Sequence, residues 1–230
     1  MQEFLEYLPF LFTDRVMLNA IATTFQLALI STSISTILGI IFGLLLERNR
    51  FPGKGLVIRI NRTLMGMPPV VIGLITYLLL MRRGPLGFLS LLFTMGGMAV
   101  AQILIITPII SGMVYTAASR SAPNIRAFAK TMGATKSQTA LLIIKELRHE
   151  IYFAIIAGFG RSISEVGAVM MVGGNIANQT RTMTTAISTL SRQGIFQEGI
   201  ILGATLLIMA FILQTIVEMI SKKEEKDENY

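Results

Sequence analysis

The sequence predicts an all-α integral membrane protein with about five transmembrane helices. Hydrophobic residues make up 53% of the 230 residues, and the mean hydropathy is +0.66. Charged residues make up only 14%, whereas a soluble domain has about 25%. A spanning helix needs about 20 apolar residues. Three stretches without Asp, Glu, Lys or Arg approach or exceed that length: residues 16–46, 63–81 and 84–119.

The first span is predicted at residues 17–46. It is longer than a bilayer core requires, so it either tilts or extends beyond the core. Gly39 and Gly43 are four residues apart, a spacing that allows another helix to approach closely. The same spacing also arises by chance in glycine-rich membrane helices, and both interpretations stand at this point.

The second span is predicted at residues 63–81, after a basic linker at residues 47–62. Pro68 and Pro69 stand near its start, and two adjacent prolines remove two backbone donors. A broken helix persists in a membrane only where protein or a water-filled cavity satisfies the freed carbonyl groups. The prolines are therefore expected to face the interior of a helix bundle.

The remaining apolar stretches divide into an interfacial piece and three spans. The interfacial piece is predicted at residues 86–93. The third span follows at residues 94–118 and is expected to bend at Pro108. The fourth and fifth spans are predicted at residues 151–172 and 200–220.

Residues 1–220 are thus predicted to form a single transmembrane domain, followed by a polar tail, residues 221–230, without fixed structure. Glu3 and Glu6 stand where a signal peptide would carry basic residues, so no signal peptide is expected. A basic segment, residues 120–148, separates the third and fourth spans.

The distribution of basic residues predicts the orientation in the membrane. Five spans place the two termini on opposite sides. One side carries fourteen Lys and Arg residues, five in the linker, six in the basic segment and three in the tail, while the other side carries five. The more basic side is expected to be cytoplasmic, which places the N-terminus outside and the C-terminus inside.

Several functions are not expected from the composition. The net charge of +7 follows from this asymmetry rather than from nucleic-acid binding. The chain has no cysteine and one histidine, His149, which argues against a metal centre or a bound cofactor. The fourteen methionines are typical gap-fillers of an apolar bundle. No phosphate-binding loop and no pair of carboxylates at catalytic spacing occurs, so the chain is not expected to be an enzyme.

Local signals within the basic segment predict two short helices bent at a glycine. The dipeptide at residues 122–123 is Ala-Pro, which can begin a helix that runs to about Met132. Gly133 suits a helix-terminating position with positive φ. Thr135 and Gln138 match a capping box for a second helix that continues into the fourth span. An ordinary amphipathic connector would have the same features.

The basic segment also resembles a cytoplasmic signature of importer permeases of the ATP-binding-cassette class. That signature reads EAA, three residues, G, nine residues, I, one residue and LP. Residues 127–129 are Ala-Phe-Ala in the EAA place, Gly133 and Ile143 follow at the family's spacing, and Lys-Glu at residues 145–146 replaces Leu-Pro. The resemblance implies that residues 127–148 couple to a separate ATPase. The implied coupling residues are Ala127, Phe128, Ala129, Gly133, Ala134, Thr135 and Ile143.

A second stretch resembles permeases of tungstate-type oxyanion importers. Residues 159–187 read FGRSISEVGAVMMVGGNIANQTRTMTTAI. Molybdate and sulfate permeases share a Gly-Glu-x-Gly-Ala core, which is Ser-Glu-Val-Gly-Ala at residues 164–168 here. The resemblance covers nearly the whole chain and implies a type I importer permease fold in the cell membrane. It implies tungstate as the substrate, with a molybdate or sulfate permease as the alternative.

The resemblance also implies partners. Two copies would form a homodimer around one path, two ATPase subunits would bind ATP and Mg, and an extracytoplasmic binding protein would deliver the oxyanion. An ion-coupled secondary carrier or a channel is the alternative of another class. Such carriers often have internal repeats and intramembrane acids, whereas no repeat is visible here and Glu165 is the only acid deep in a span.

Arg161 and Glu165 are the charged residues of the fourth span. A lone charge at mid-bilayer costs about 2.5–3.5 kcal/mol, so neither should face lipid. Their spacing places them on one helix face, either as a structural pair or as a gate in which Arg161 meets the anion. The residues assigned to the translocation path or gate are Pro68, Pro69, Arg161, Glu165, Gly167 and Met170.

The polar stretch after the fourth span is assigned to an outer mouth. Hydroxyl and guanidinium groups suit a tetrahedral dianion, although an ordinary solvated loop has similar residues. The assigned residues are Thr180, Arg181, Thr182, Thr184 and Thr185.

Overall fold

The structure is a computed structural model that describes residues 14–228, with side chains to residue 219 except Val217. Within this range, apolar periodicity and local capping signals produce nine helices. No strand occurs within the described range, which confirms the all-α prediction. A single 3₁₀ turn, Gly87–Leu89, lies in the predicted interfacial piece. The helices are α1 Arg15–Arg48, α2 Lys54–Met65, α3 Pro69–Leu80, α4 Met95–Thr131, α5 Lys136–Glu146, α6 Arg148–Ser164, α7 Gly167–Gly173, α8 Met183–Arg192 and α9 Phe196–Glu228.

Three helices are long and apolar enough to cross a membrane as they stand: α1, α4 and the Phe196–Ile216 part of α9. Two further candidates are bent pairs. Helices α2 and α3 meet at 105°, and α6 and α7 meet at 57°. Counting each bent pair as one span gives five, in agreement with the predicted number.

The second predicted span differs from the prediction at its start. Helix α2 begins at Lys54, inside the expected linker, and the break falls where predicted, with Pro68 before α3 and Pro69 as its first residue. Asn61 lies in the part of α2 that was expected to be linker. Its buried amide nitrogen lies 3.2 Å from the Pro108 carbonyl oxygen, and its amide oxygen accepts a 3.0 Å hydrogen bond from Ser111. These bonds attach α2 to α4.

The predicted end of the third span is wrong. Helix α4 continues without interruption through Pro123, where a new helix was expected to begin. Pro123 is exposed, so the carbonyl group that it leaves without a donor faces the surface. Ala118 and Ala122 are fully buried with α5 and α6 in the largest apolar cluster. This packing holds both halves of α4 in one helix.

Helices α1 and α4 run parallel and in close contact. A Cβ atom on Gly39 would lie 2.7 Å from Ile110 Cγ2, and one on Gly43 would lie 2.8 Å from the Ser111 carbonyl oxygen. Both distances are shorter than a carbon atom allows. The glycine spacing therefore serves close helix packing, as one of the two sequence interpretations held.

The described part of the C-terminal tail differs from its prediction, and the predictions for the N-terminal residues fall outside the described range. Helix α9 continues to Glu228, so most of the tail is helical rather than without fixed structure. Its sequence is rich in Lys and Glu, which are strong helix formers. Residues 1–13, on which the signal-peptide expectation rests, and residues 229–230 lie outside the described residues.

Candidate functional site

The break between α2 and α3 opens onto a cavity of about 520 Å³ that also reaches α6. Its wall includes Pro68, Pro69, Arg161 and Ser164. The two prolines remove backbone donors from the break, and the cavity provides room for water beside it. The structure thus brings together three of the six residues assigned to the path.

Arg161 and Glu165 form an ion pair at the end of α6. Arg161 Nη2 lies 3.6 Å from Glu165 Oε2, and the exposed fractions of the two side chains are 35% and 3%. The predicted pairing is therefore present. Because Glu165 is buried while Arg161 lines the cavity, only the cation of the pair is open to an entering anion.

Glu165 has a second contact that ties the pair to the bend. It is the first residue after α6 and has extended dihedrals, φ −73° and ψ 128°. Its Oε1 accepts a 3.0 Å hydrogen bond from the backbone N–H of Ala168, in the first turn of α7. Its carbonyl oxygen accepts a 2.8 Å bond from Thr184 Oγ1. One carboxylate thus neutralises Arg161 and caps α7.

The two helix breaks pack against each other. A Cβ atom on Gly167 would lie 2.7 Å from Val70 Cγ2, and one on Gly73 would lie 2.7 Å from Ala168 Cα. Residues larger than glycine do not fit at either contact. Met170 lies further along α7, where Arg192 Nη2 is 4.0 Å from its sulfur. Glu165, Gly167 and Met170 do not line the cavity.

A buried polar network next to this site was not predicted from the sequence. Ser31 Oγ and Ser162 Oγ lie 2.6 and 2.7 Å from Gln102 Oε1, and Gln102 Nε2 donates to the Ser162 carbonyl oxygen at 3.0 Å. The network joins α1, α4 and α6 beside Arg161. A glutamine in the middle of an uncharged apolar run was the signal that could have revealed it.

The segment assigned to the outer mouth is held together by its own threonines. Thr180 Oγ1 donates to the Gly173 carbonyl oxygen at 2.6 Å, and Thr182 and Thr185 form a capping box at the start of α8. Thr180, Thr182, Thr184 and Thr185 are buried. Arg181 is partly exposed and donates to Asn175 Oδ1 at 3.2 Å. The mouth assignment stays a prediction, with Arg181 as its most accessible member.

The basic segment has the two predicted local features. Gly133 has φ +71°, and Thr135 forms a capping box with Gln138. The prediction that the second helix continues into the fourth span is wrong, because α5 ends at Glu146 and α6 starts at Arg148 after a turn at Leu147.

The residues assigned to coupling divide into buried and exposed sets. Ala129 and Ile143 are buried, and Ile143 packs with α4 and α6 in the largest apolar cluster. Phe128 is 62% exposed, beside Met132 at 72%. The basic segment therefore offers an apolar surface outward while its inner side is fixed to the spans. Ala127, Ala134 and Thr135 lie at exposed or partly exposed positions near it.

An ion pair that was not predicted from the sequence joins the basic segment to the first span. Glu47, near the end of α1, accepts hydrogen bonds from both terminal nitrogens of Arg126 on α4, and the Arg126 Nη1–Glu47 Oε1 distance is 2.8 Å. The Glu47 side chain is only 8% exposed. Two-point pairing with a guanidinium group fixes orientation as well as distance.

Residues 35–223 match the sequence profile of a family described as the binding-protein-dependent transport system inner membrane component. The chain belongs to this family. It is therefore a multi-pass protein of the cell membrane, and the predicted resemblance to importer permeases is confirmed.

Individual relatives agree with the family. The chain is 38% identical over 81% of its length to the tungstate uptake system permease protein TupB of Peptoclostridium acidaminophilum, of which the match covers 82%. It is 38% identical over 82% of its length to a probable anion ABC transporter permease protein of Haloferax volcanii, with 83% of that chain covered. It is 33% identical over 91% of its length to TupB of Campylobacter jejuni, with 87% covered.

A solved structure shares the fold. A bacterial ABC transporter involved in the import of the acidic polysaccharide alginate superposes with a TM-score of 0.79, over 95% of this chain and 83% of that chain. The sequence identity is 17%, so the comparison supports the type I importer permease fold and nothing about the substrate.

Proposed function

We propose that the chain is the permease subunit of an ATP-driven importer of a tetrahedral oxyanion, with tungstate as the substrate. The observation that carries this proposal is the identity of 38% and 33% to two tungstate permeases, each matched over more than four fifths of its length. Molybdate and sulfate are the alternatives within the class. Sulfate permeases such as CysW of Escherichia coli match at 27%, which favours tungstate.

The cavity beside the paired helix breaks is proposed to be part of the translocation path. An anion in this cavity would meet the guanidinium group of Arg161, which suits oxyanions because it offers several donors in a fixed plane. Glu165 would keep the local charge low, so that the anion is not held too tightly to leave. Five spans are few for a complete path, so two copies of the chain are proposed to enclose it.

Energy is proposed to enter through the basic segment. Two ATPase subunits, which carry the ATP and Mg chemistry, would contact the exposed surface around Phe128. Movement of α5 would reach α4 and α6 because Ile143 packs between them. An extracytoplasmic binding protein would release the anion at the opposite end, where Arg181 lies. This arrangement has the N-terminus outside and the C-terminus inside.

Stimulation of the ATPase tests the substrate assignment. The chain would be purified with its ATPase subunits in lipid nanodiscs and mixed with binding protein loaded with tungstate, molybdate or sulfate. Tungstate-loaded binding protein should stimulate ATP hydrolysis most, and unloaded binding protein should stimulate it least. Equal stimulation by all three would remove the substrate assignment, and greater stimulation by sulfate would favour the sulfate alternative.

A further inference from the structure

A second cavity of about 520 Å³ lies between the end of α1 and the basic segment, away from the proposed path. One side is apolar and includes Ile41, Leu44, Leu45 and Ile143. Its size falls within the usual range of about 300–1,000 Å³ for small-molecule sites. None of the proposed path residues lines it, and neither does Phe128, but three residues assigned to coupling do: Gly133, Ala134 and Ile143.

The rim of this cavity is strongly basic. It carries Arg48, Lys130, Lys136 and Arg126. Arg126 is neutralised by Glu47. Arg48, Lys130 and Lys136 are exposed and have no ion pair or side-chain hydrogen bond among the described residues. Three uncompensated cations therefore surround an apolar pocket.

The apolar side of the cavity continues along the outside of α1. A stripe of exposed aliphatic side chains, two of which line the cavity, covers the eleven residue steps from Ile34 to Leu45, which is about 17 Å at 1.5 Å per residue. Half of a hydrocarbon core is about 15 Å thick. The stripe therefore matches one leaflet in length. Its members are Ile34, Ile37, Leu38, Ile41 and Leu45.

The geometry points to a site for one anionic phospholipid, with the phosphate-bearing headgroup at Arg48, Lys130 and Lys136 and an acyl chain along the α1 stripe. A basic pocket at the cytoplasmic end of membrane helices attracts such headgroups. The alternative occupant is an acidic protein surface, but an aliphatic stripe one leaflet long on a spanning helix suits a lipid tail. A bound lipid would connect α1 to the bend at Gly133, which lines the same cavity.

Native mass spectrometry of the purified full-length chain tests the site. Phosphatidylglycerol and phosphatidylcholine with identical acyl chains would be added to the detergent-solubilised protein, and bound lipid would be counted. The test variant replaces Arg48, Lys130 and Lys136 with Gln. The control variant replaces Arg50, Arg59 and Arg62 with Gln, which removes the same charge at the same end but outside the cavity.

The wild type should retain one phosphatidylglycerol per chain in preference to phosphatidylcholine. The test variant should lose this preference, with affinity reduced roughly fivefold for each charge removed, while the control should keep it. Equal losses in both variants would show general attraction to basic charge and overturn the site. Unchanged lipid binding together with loss of ATPase association in the test variant would assign the cavity to the protein partner instead. Glycerol phosphate, which lacks acyl chains, should not compete.

Discussion

At the residue scale, Glu165 is the side chain on which most of the site depends. One oxygen faces Arg161 and the other caps α7, so the bend between α6 and α7 and the charge at the cavity share one carboxylate. The spacing of Arg161 and Glu165 predicted their pairing. The capping contact was not predictable, because it depends on the chain leaving the helix at Glu165, a tertiary feature set by packing of Gly167 against α3.

Replacement of Glu165 should separate the two roles. Glu165→Gln keeps an acceptor for the Ala168 N–H but removes the charge, so the thermal unfolding temperature should change little while uptake slows, because Arg161 then holds the anion. Glu165→Ala removes both contacts and should destabilise the protein by about 1–3 kcal/mol. The two variants would be compared by thermal unfolding in detergent and by uptake into liposomes.

The exchange of Arg161→Glu with Glu165→Arg provides the control. Arginine has no acceptor for the Ala168 N–H, so the exchange should restore neither stability nor uptake. Recovery of both properties would show that charge pairing alone explains these residues and that Arg161 has no role in passing the anion.

At the element scale, local sequence signals predicted where helices break better than they predicted where helices continue. The break at Pro68 and Pro69, the positive φ of Gly133 and the capping box at Thr135 all occur as expected, because each depends on a few neighbouring residues. Helix α4 continues through Pro123 because buried alanines hold it against α5 and α6. That packing joins residues distant in sequence, which local signals do not report.

Two glycine substitutions should have opposite effects on stability, one at the contact between α1 and α4 and one at an exposed position of α2. Gly39→Ala places a methyl group against Ile110 and should destabilise the protein by about 1–3 kcal/mol. Gly55→Ala, in α2, meets nothing within 4 Å and should stabilise it by roughly 0.5–1 kcal/mol. Thermal unfolding followed by circular dichroism measures both. Equal shifts for the two variants would contradict the close packing.

The hinge in the basic segment is tested by Gly133→Val. The new side chain meets no neighbour within 4 Å, so its effect is backbone strain of about 1–2 kcal/mol at φ +71°. Expression should persist, while uptake and its coupled ATP hydrolysis should fall. Gly133→Asn is the matched control, since asparagine tolerates positive φ, and it should retain most activity. Normal transport by the valine variant would remove the hinge assignment.

At the scale of the whole molecule, the fold separates the residues assigned to coupling from those assigned to the outer mouth. The basic segment and the end of α1 lie at one end, and the loop before α8 lies at the other, with the cavity at the helix breaks between them. Composition predicted the number of candidate spans, because it is summed over many residues. The orientation that charge asymmetry predicts stays a prediction. The site itself depends on pairs such as Gly73 and Ala168, which only the folded chain brings together.

Cysteine labelling tests the orientation, since the chain has no cysteine of its own. Gln179→Cys and Ser137→Cys place single thiols at exposed positions at opposite ends. An impermeant thiol reagent added to intact cells should modify the first and leave the second unmodified until the membrane is opened. The reverse pattern would invert the proposed topology.

The central claim is that ATP hydrolysis by partner subunits drives an oxyanion through this chain. The most direct measurement is tungstate uptake into liposomes that contain the chain with its ATPase, with binding protein outside and ATP inside. Uptake should require both proteins and hydrolysable ATP, and Arg161→Gln should reduce it without dissociating the complex. Uptake that proceeds without ATP under an imposed ion gradient would contradict the account and favour an ion-coupled carrier.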